Sequence, residues 1–115
     1  MLLTIEKKSL PSDVTVLEIK GRISLGRECQ QIEWTVDDLL KNNARKVILD
    51  LAGVNHIDST GIGIIVMCSG KLKKAGGQLR VAGATGVVDQ VLKLTKVDEI
   101  VGLHADTAAA AKSFS

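Results

Sequence analysis

Aromatic side chains are almost missing from this chain: Trp34 and Phe114 stand alone, and there is no tyrosine. A core must therefore come from Val, Ile, Leu and Ala, and nucleic-acid binding by base stacking on aromatic platforms is disfavoured. Charge of one sign is lacking as well. Fifteen Lys and Arg against thirteen Asp and Glu leave a net +2. The basic residues are scattered apart from Lys71, Lys73 and Lys74, so no field gathers nucleic acid. The only two cysteines, Cys29 and Cys68, fit no CxxC or zinc spacing. They cannot frame a fold by disulfides, and a cytoplasmic setting is expected. The longest apolar stretch, around residues 62–68, falls far short of the roughly 20 residues that span a bilayer, so no membrane insertion is expected. Residues 1–6 carry no basic leader, which argues against a signal peptide. No metal constellation, Walker loop or dinucleotide fingerprint occurs, and no cofactor is expected.

What is present fits one globular domain over residues 1–115, with 45% apolar and 24% charged residues. The single proline, Pro11, lies in a Leu10–Asp13 turn cluster. Alternating runs on either side, Leu3 and Ile5 before it and Val14 to Ile19 after it, read as a hairpin ended by Gly21. Residues 22–26 read as a connection. From about Arg27 to Asn42, Cys29, Ile32, Val36, Leu39 and Leu40 form a helical stripe. Trp34 falls off that stripe, either as an interface anchor or packed on the 21–26 connection. Val47 to Leu51 reads as a strand covered on both faces, followed by a turn at Ala52–Val54 and a short extended piece.

Ser59 or Asp58 is expected to cap a helix from about Thr60 to Ala75, stopped by Gly76 and Gly77. A strand at Leu79–Val81, a helix at Gly86–Leu94, a strand at Ile100–Leu103 and a helix over Ala108–Lys112 capped by Asp106 or Thr107 complete the chain. The order β-β-α-β-α-β-α-β-α implies an α/β fold. We expect a mixed four- to five-stranded sheet with about four helices, mainly against one face.

The chemistry is concentrated in Val54-Asn55-His56-Ile57-Asp58-Ser59-Thr60-Gly61-Ile62-Gly63. A strand-to-helix junction offers unpaired N–H groups and a partial positive charge. A serine there can accept a phosphoryl group, of charge about −1.5 to −2 near neutral pH, without melting the helix. The plainer alternative is that Ser59 is only a cap. Gly61 and Gly63 are expected to bare the junction so that another protein's backbone can approach. Ile62, Ile65, Val66, Ser69 and Leu72 predict the inward stripe of the helix. Ile64, Met67 and Cys68 lie off it, so the first turns are apolar nearly all round, and the helix either is buried on both sides or shows an apolar patch to a partner. Lys71, Lys73 and Lys74 suit the C-terminal dipole.

Asp58-Ser59-Thr60-Gly61-Ile62-Gly63 resembles the D-S-[ST]-G-[LIV]-G signature of STAS domains, specifically bacterial anti-sigma factor antagonists. The resemblance extends to Gly21-Arg22-Ile23, Lys46–Val54, Ala75–Gly83 and Val91–Thr95. It implies a partner switch. A serine/threonine kinase that is itself the anti-sigma factor phosphorylates the serine after the aspartate, here Ser59. The unmodified protein binds that kinase and releases the sigma factor, and a phosphatase restores the modified form. Asp58, Thr60, Gly61 and Gly63 would surround the phosphosite, and Ser24, Ile62, Ile64 and Met67 would face the partner. Where family members often carry an aspartate, this chain has Ser24.

Two other functions compete. One is a STAS scaffold without a phosphorylation cycle, in a stress-sensing or lipid-transport assembly. The other is a serine hydrolase using His56 or His104. The hydrolase reading fails on motif, because a nucleophile elbow needs glycine where Ile57 stands, so no enzyme is expected.

Overall fold

The computed structural model describes residues 3–24 and 27–114, with residues 27 and 28 described by their backbone alone. The hairpin forms as β1 (Thr4–Leu10) and β2 (Val14–Ile23), paired antiparallel. Helix α1 (Arg27–Lys41) leads to β3 (Lys46–Ile57), α2 (Ser59–Lys74), β4 (Gln78–Ala82) and α3 (Gly86–Leu94). A 3₁₀ turn (Val97–Glu99), β5 (Gly102–His104) and α4 (Thr107–Lys112) follow. The sheet runs in chain order, β1-β2-β3-β4-β5, and every pair after the hairpin is parallel.

Sequential parallel strands joined by right-handed crossovers put their connecting helices on one face. Strand alternation shows this directly. Leu17, Ile19, Val47, Leu49, Leu79 and Val81 point into a core shared with Ile32, Val36, Ile65, Leu72, Val88 and Leu92 of α1, α2 and α3. Their neighbours Val14, Val16, Ile48 and Ala82 point the other way and are covered by Ala110 of α4. Three helices on one face and one short helix on the other match the expected α/β arrangement.

Three segments differ from the sequence reading. Gly21 does not end β2; it continues the strand at φ 109, where β2 meets an irregularity of register. Second, β3 is one strand of twelve residues, where a turn was expected at Ala52–Val54. It carries two extra-residue irregularities against β2, so the positions facing the main core run Val47, Leu49, Leu51 at every second residue and then Val54 and Ile57 at every third. A strand that skips alternation in this way looks like a turn in sequence. Its exposed Gly53 is needed because a Cβ there would meet Lys20 Cγ at 2.6 Å. Third, the last strand begins at Gly102 rather than Ile100, because Lys96 turns left-handed (φ 61) and opens the 3₁₀ turn. Residues 25–26 of the expected 21–26 connection lie outside the described residues.

Candidate functional site

β2 and β3 run past the end of β4, whose last residue, Ala82, pairs with Asp50. Their final pair is Ile23 beside Ile57. The next residue on one chain is Ser24 and on the other Asp58, which opens α2 without an intervening loop. The junction expected from the sequence is therefore built at the carboxyl ends of two adjacent parallel strands, the usual place for function in such sheets.

Asp58 is the cap. Its backbone is extended (φ −110, ψ −176), and its carboxylate oxygen accepts the Gly61 N–H at 2.9 Å. The Asp58 N–H donates to Ile23 O at 3.2 Å, and the Ile62 N–H donates to Asp58 O at 3.0 Å. Capping satisfies one of the orphan donors of the first turn. Ser59 is the first helical residue, exposed, and its hydroxyl makes no hydrogen bond among the described residues. Of the two caps weighed from the sequence, the aspartate holds the position, and Ser59 is left without a structural task. Thr60 is exposed beside it, and Ser24 is half-buried.

The two signature glycines have separate duties. A Cβ on Gly61 would lie 2.6 Å from Ile23 O and 2.8 Å from side-chain atoms of both Ile23 and Ile57. Gly61 is bare so that α2 can seat on its own strands, which corrects the expectation that it opens a path for a partner. Gly63 is exposed with nothing within 4 Å of its Cβ position.

The inward face of α2 also differs from the expected stripe. Gly61, Ile64, Ile65, Cys68, Ser69 and Leu72 are buried, while Ile62 and Val66 are only partly so. Ile64, expected to face a partner, is 9% exposed and belongs to the core. The reason is α1, packed alongside, which widens the buried arc on that flank. Lys71 ties the same two helices, donating to Glu33 at 2.8 Å and Asp37 at 2.9 Å. The Asp37 and Glu33 carboxylates hold its ammonium well above the ordinary lysine range. Burial pushes the Cys68 thiol up to about 12, so it stays protonated and is not a nucleophile.

What remains outward on α2 is the stripe Thr60, Gly63, Met67 and Gly70, with Met67 39% exposed. Residues 59–70 include no charged side chain. Exposed apolar residues recur on the neighbouring helices, with Trp34 on α1 (59%) and Val87 on α3 (60%). The sequence singled out Trp34 but passed over Val87 and Leu94. The signal was available: both lie off the inward positions Val88 and Leu92. His56 stands on β3 beside Arg22, and His104 on β5, two strands away from β3, so no triad assembles around Ser59. No helix of the described residues is long and apolar enough to cross a membrane.

Comparison with known proteins agrees with this architecture. A Thermotoga maritima protein described as a candidate anti-sigma factor antagonist is 29% identical over 92 residues, spanning 80% of this chain and 81% of its own. A crystal structure under the same description from that organism superposes with a TM-score of 0.86 at 25% identity, covering 95% of this chain and 92% of that one. The Bacillus cell fate determinant SpoIIAA in its phosphorylated form shares the fold, with a TM-score of 0.74 at 13% identity over 97% of this chain and all of that one. The STAS domain family model matches residues 5–110, and the chain belongs to that family.

Proposed function

We propose that this protein is an anti-sigma factor antagonist whose docking on its anti-sigma factor is switched off by phosphorylation of Ser59. The observation that carries the reading is the division of labour at the junction. Asp58 does the capping, so Ser59 is presented on the first turn with its hydroxyl exposed and uncommitted. The names of relatives, and a phosphorylated form of a protein with this fold, support it.

The physics of the switch follows from the surface beside Ser59. The outward stripe of α2 is uncharged and partly apolar, with Ile62 half-buried next to it. A partner covering that stripe removes water from it. A phosphoryl group there has the positive end of the helix dipole to favour its formation, but in a closed interface it must shed its hydration beside the Asp58 carboxylate. Burying an unmatched charge of that size costs several kcal/mol. Each 1.4 kcal/mol is tenfold in affinity, so one modification separates a tight complex from none. Ser24, Thr60, Gly63 and Met67 complete the partner-facing set, and the partner is a serine kinase opposed by a phosphatase, acting in the cytoplasm.

The test is a titration of the anti-sigma partner, captured from the native cell, against three forms of the protein. Ser59→Ala is expected to bind within threefold of the unmodified chain. Protein phosphorylated at Ser59, verified by intact mass, is expected to bind at least a hundredfold more weakly. Equal affinity of the modified and unmodified forms overturns the switch. A chain never phosphorylated in its own cells, yet held in a stable assembly, favours the scaffold instead.

A further inference from the structure

The uncharged stripe of α2 is too small to be a whole docking surface. Residues 60–70 of a helix run roughly 16 Å and show a face roughly 10 Å wide. That is about 160 Å², whereas a stable specific interface takes about 800 Å² from each partner. A partner seated beside Ser59 must therefore reach well beyond α2.

Continuity runs toward α1. Lys71 of α2 donates to Glu33 at 2.8 Å and to Asp37 at 2.9 Å, so the seam between the two helices is closed at that level. Residues three or four apart are neighbours on a helix surface. Met67 thus lies one turn before Lys71 on the same side of α2, and Trp34 one turn before Asp37 on the same side of α1. The two exposed apolar side chains, Met67 at 39% and Trp34 at 59%, flank one ion-pair cluster. Trp34 takes no part in the core, which α1 reaches through Ile32, Val36 and Leu39. Tryptophan is among the residues most enriched where interfaces concentrate their binding energy.

The charge around Trp34 indicates what covers it. Glu33, Asp37 and Asp38 all lie within about one turn of it. Lys71 pairs with the first two, while Asp38 is exposed and forms no ion pair among the described residues. Lys41, two turns on, lies in the last turn of the helix. Three carboxylates against one ammonium leave the rim of this tryptophan negative, beside the uncharged face of α2. A partner matched to both halves has a pocket for an indole, rimmed by lysine or arginine, next to a neutral surface. A two-fold dimer centred on Trp34 would instead set two acidic rims against each other.

We propose that the footprint of the anti-sigma factor crosses from α2 onto α1, with Trp34 as its anchor in an apolar pocket of basic rim. This rests on the assignment of Ser59 as the switch and names the surface that the switched partner holds.

The experiment uses the full chain labelled with fluorotryptophan, which gives one fluorine resonance because Trp34 is the only tryptophan. Purified anti-sigma factor is expected to shift that resonance. Trp34→Ala is expected to weaken the complex about thirtyfold, the scale of an interface hot spot. Asp38→Lys is expected to slow association about threefold at low salt and less at high salt. Val87→Ser with Leu94→Ser, on α3, is expected to bind within about twofold of the parent. Circular dichroism of each variant confirms that the fold is retained. The proposal is overturned if Trp34→Ala binds within about threefold of the parent and the resonance stays in place, while phosphorylation of Ser59 still abolishes docking. The switch then stands and the footprint lies elsewhere. It is also overturned if the α3 variant loses as much affinity as Trp34→Ala. A resonance that moves with the concentration of this chain alone assigns Trp34 to self-association and overturns it too. Binding lost in Trp34→Ala but indifferent to phosphorylation upholds the α1 contact and overturns the switch instead.

Discussion

Gly61 and Gly63 lie two residues apart on one helix and are bare for different reasons. Gly61 faces inward, where the Ile23 carbonyl and the side chains of Ile23 and Ile57 occupy the space a Cβ would need. Gly63 faces outward into open space. The same contrast separates Asp58, which holds the first turn, from Ser59, which holds nothing. One face of this turn is therefore architecture and the other is free for recognition. A motif read as a unit mixes the two, and substitutions along it are expected to part cleanly into losses of stability and losses of binding.

The largest effect is expected at Gly61. In an ordinary helix interior, Gly→Ala gains stability of up to about 1 kcal/mol. Here Gly61→Ala drives a methyl into backbone, and overpacking of that kind costs about 3 kcal/mol. Urea unfolding measures it; a loss under about 1 kcal/mol would show that α2 can lift from the β2 end and that the inner face is not fixed. The next contrast is between neighbours. Asp58→Ala removes the cap and should cost about 0.5–2 kcal/mol. Ser59→Ala should stay within about 0.5 kcal/mol of the parent, as for an exposed residue without partners. Similar losses for the two would return Ser59 to a capping role.

Much of this was legible in the sequence, and the exceptions share a cause. Helix α3 falls on its expected residues because Val88, Val91 and Leu92 set its period and Leu94 ends it before Thr95. The junction was legible because Asp58, Ser59 and Gly61 follow an apolar strand end. The course of β3 was not, since its irregular pairing with β2 hides the alternation that marks a strand. Ile64 was misplaced for a similar reason. The width of a helix's buried face depends on its neighbours, and nothing local announces that α1 and Lys71's two carboxylate partners close that flank.

The one expected gain in stability is the change that best separates the two faces. Gly63 is helical, exposed and unopposed, so Gly63→Ala should stabilise the isolated protein by about 0.5–1 kcal/mol by restricting the unfolded chain. If a partner approaches this stripe closely, the added methyl stands in its way, and affinity for the anti-sigma factor falls while the melting temperature rises. Stability and binding then move in opposite directions from one methyl group, which a structural role for Gly63 cannot produce. A variant that gains stability and binds unchanged would place the partner elsewhere on the helix layer, toward Trp34 or Val87.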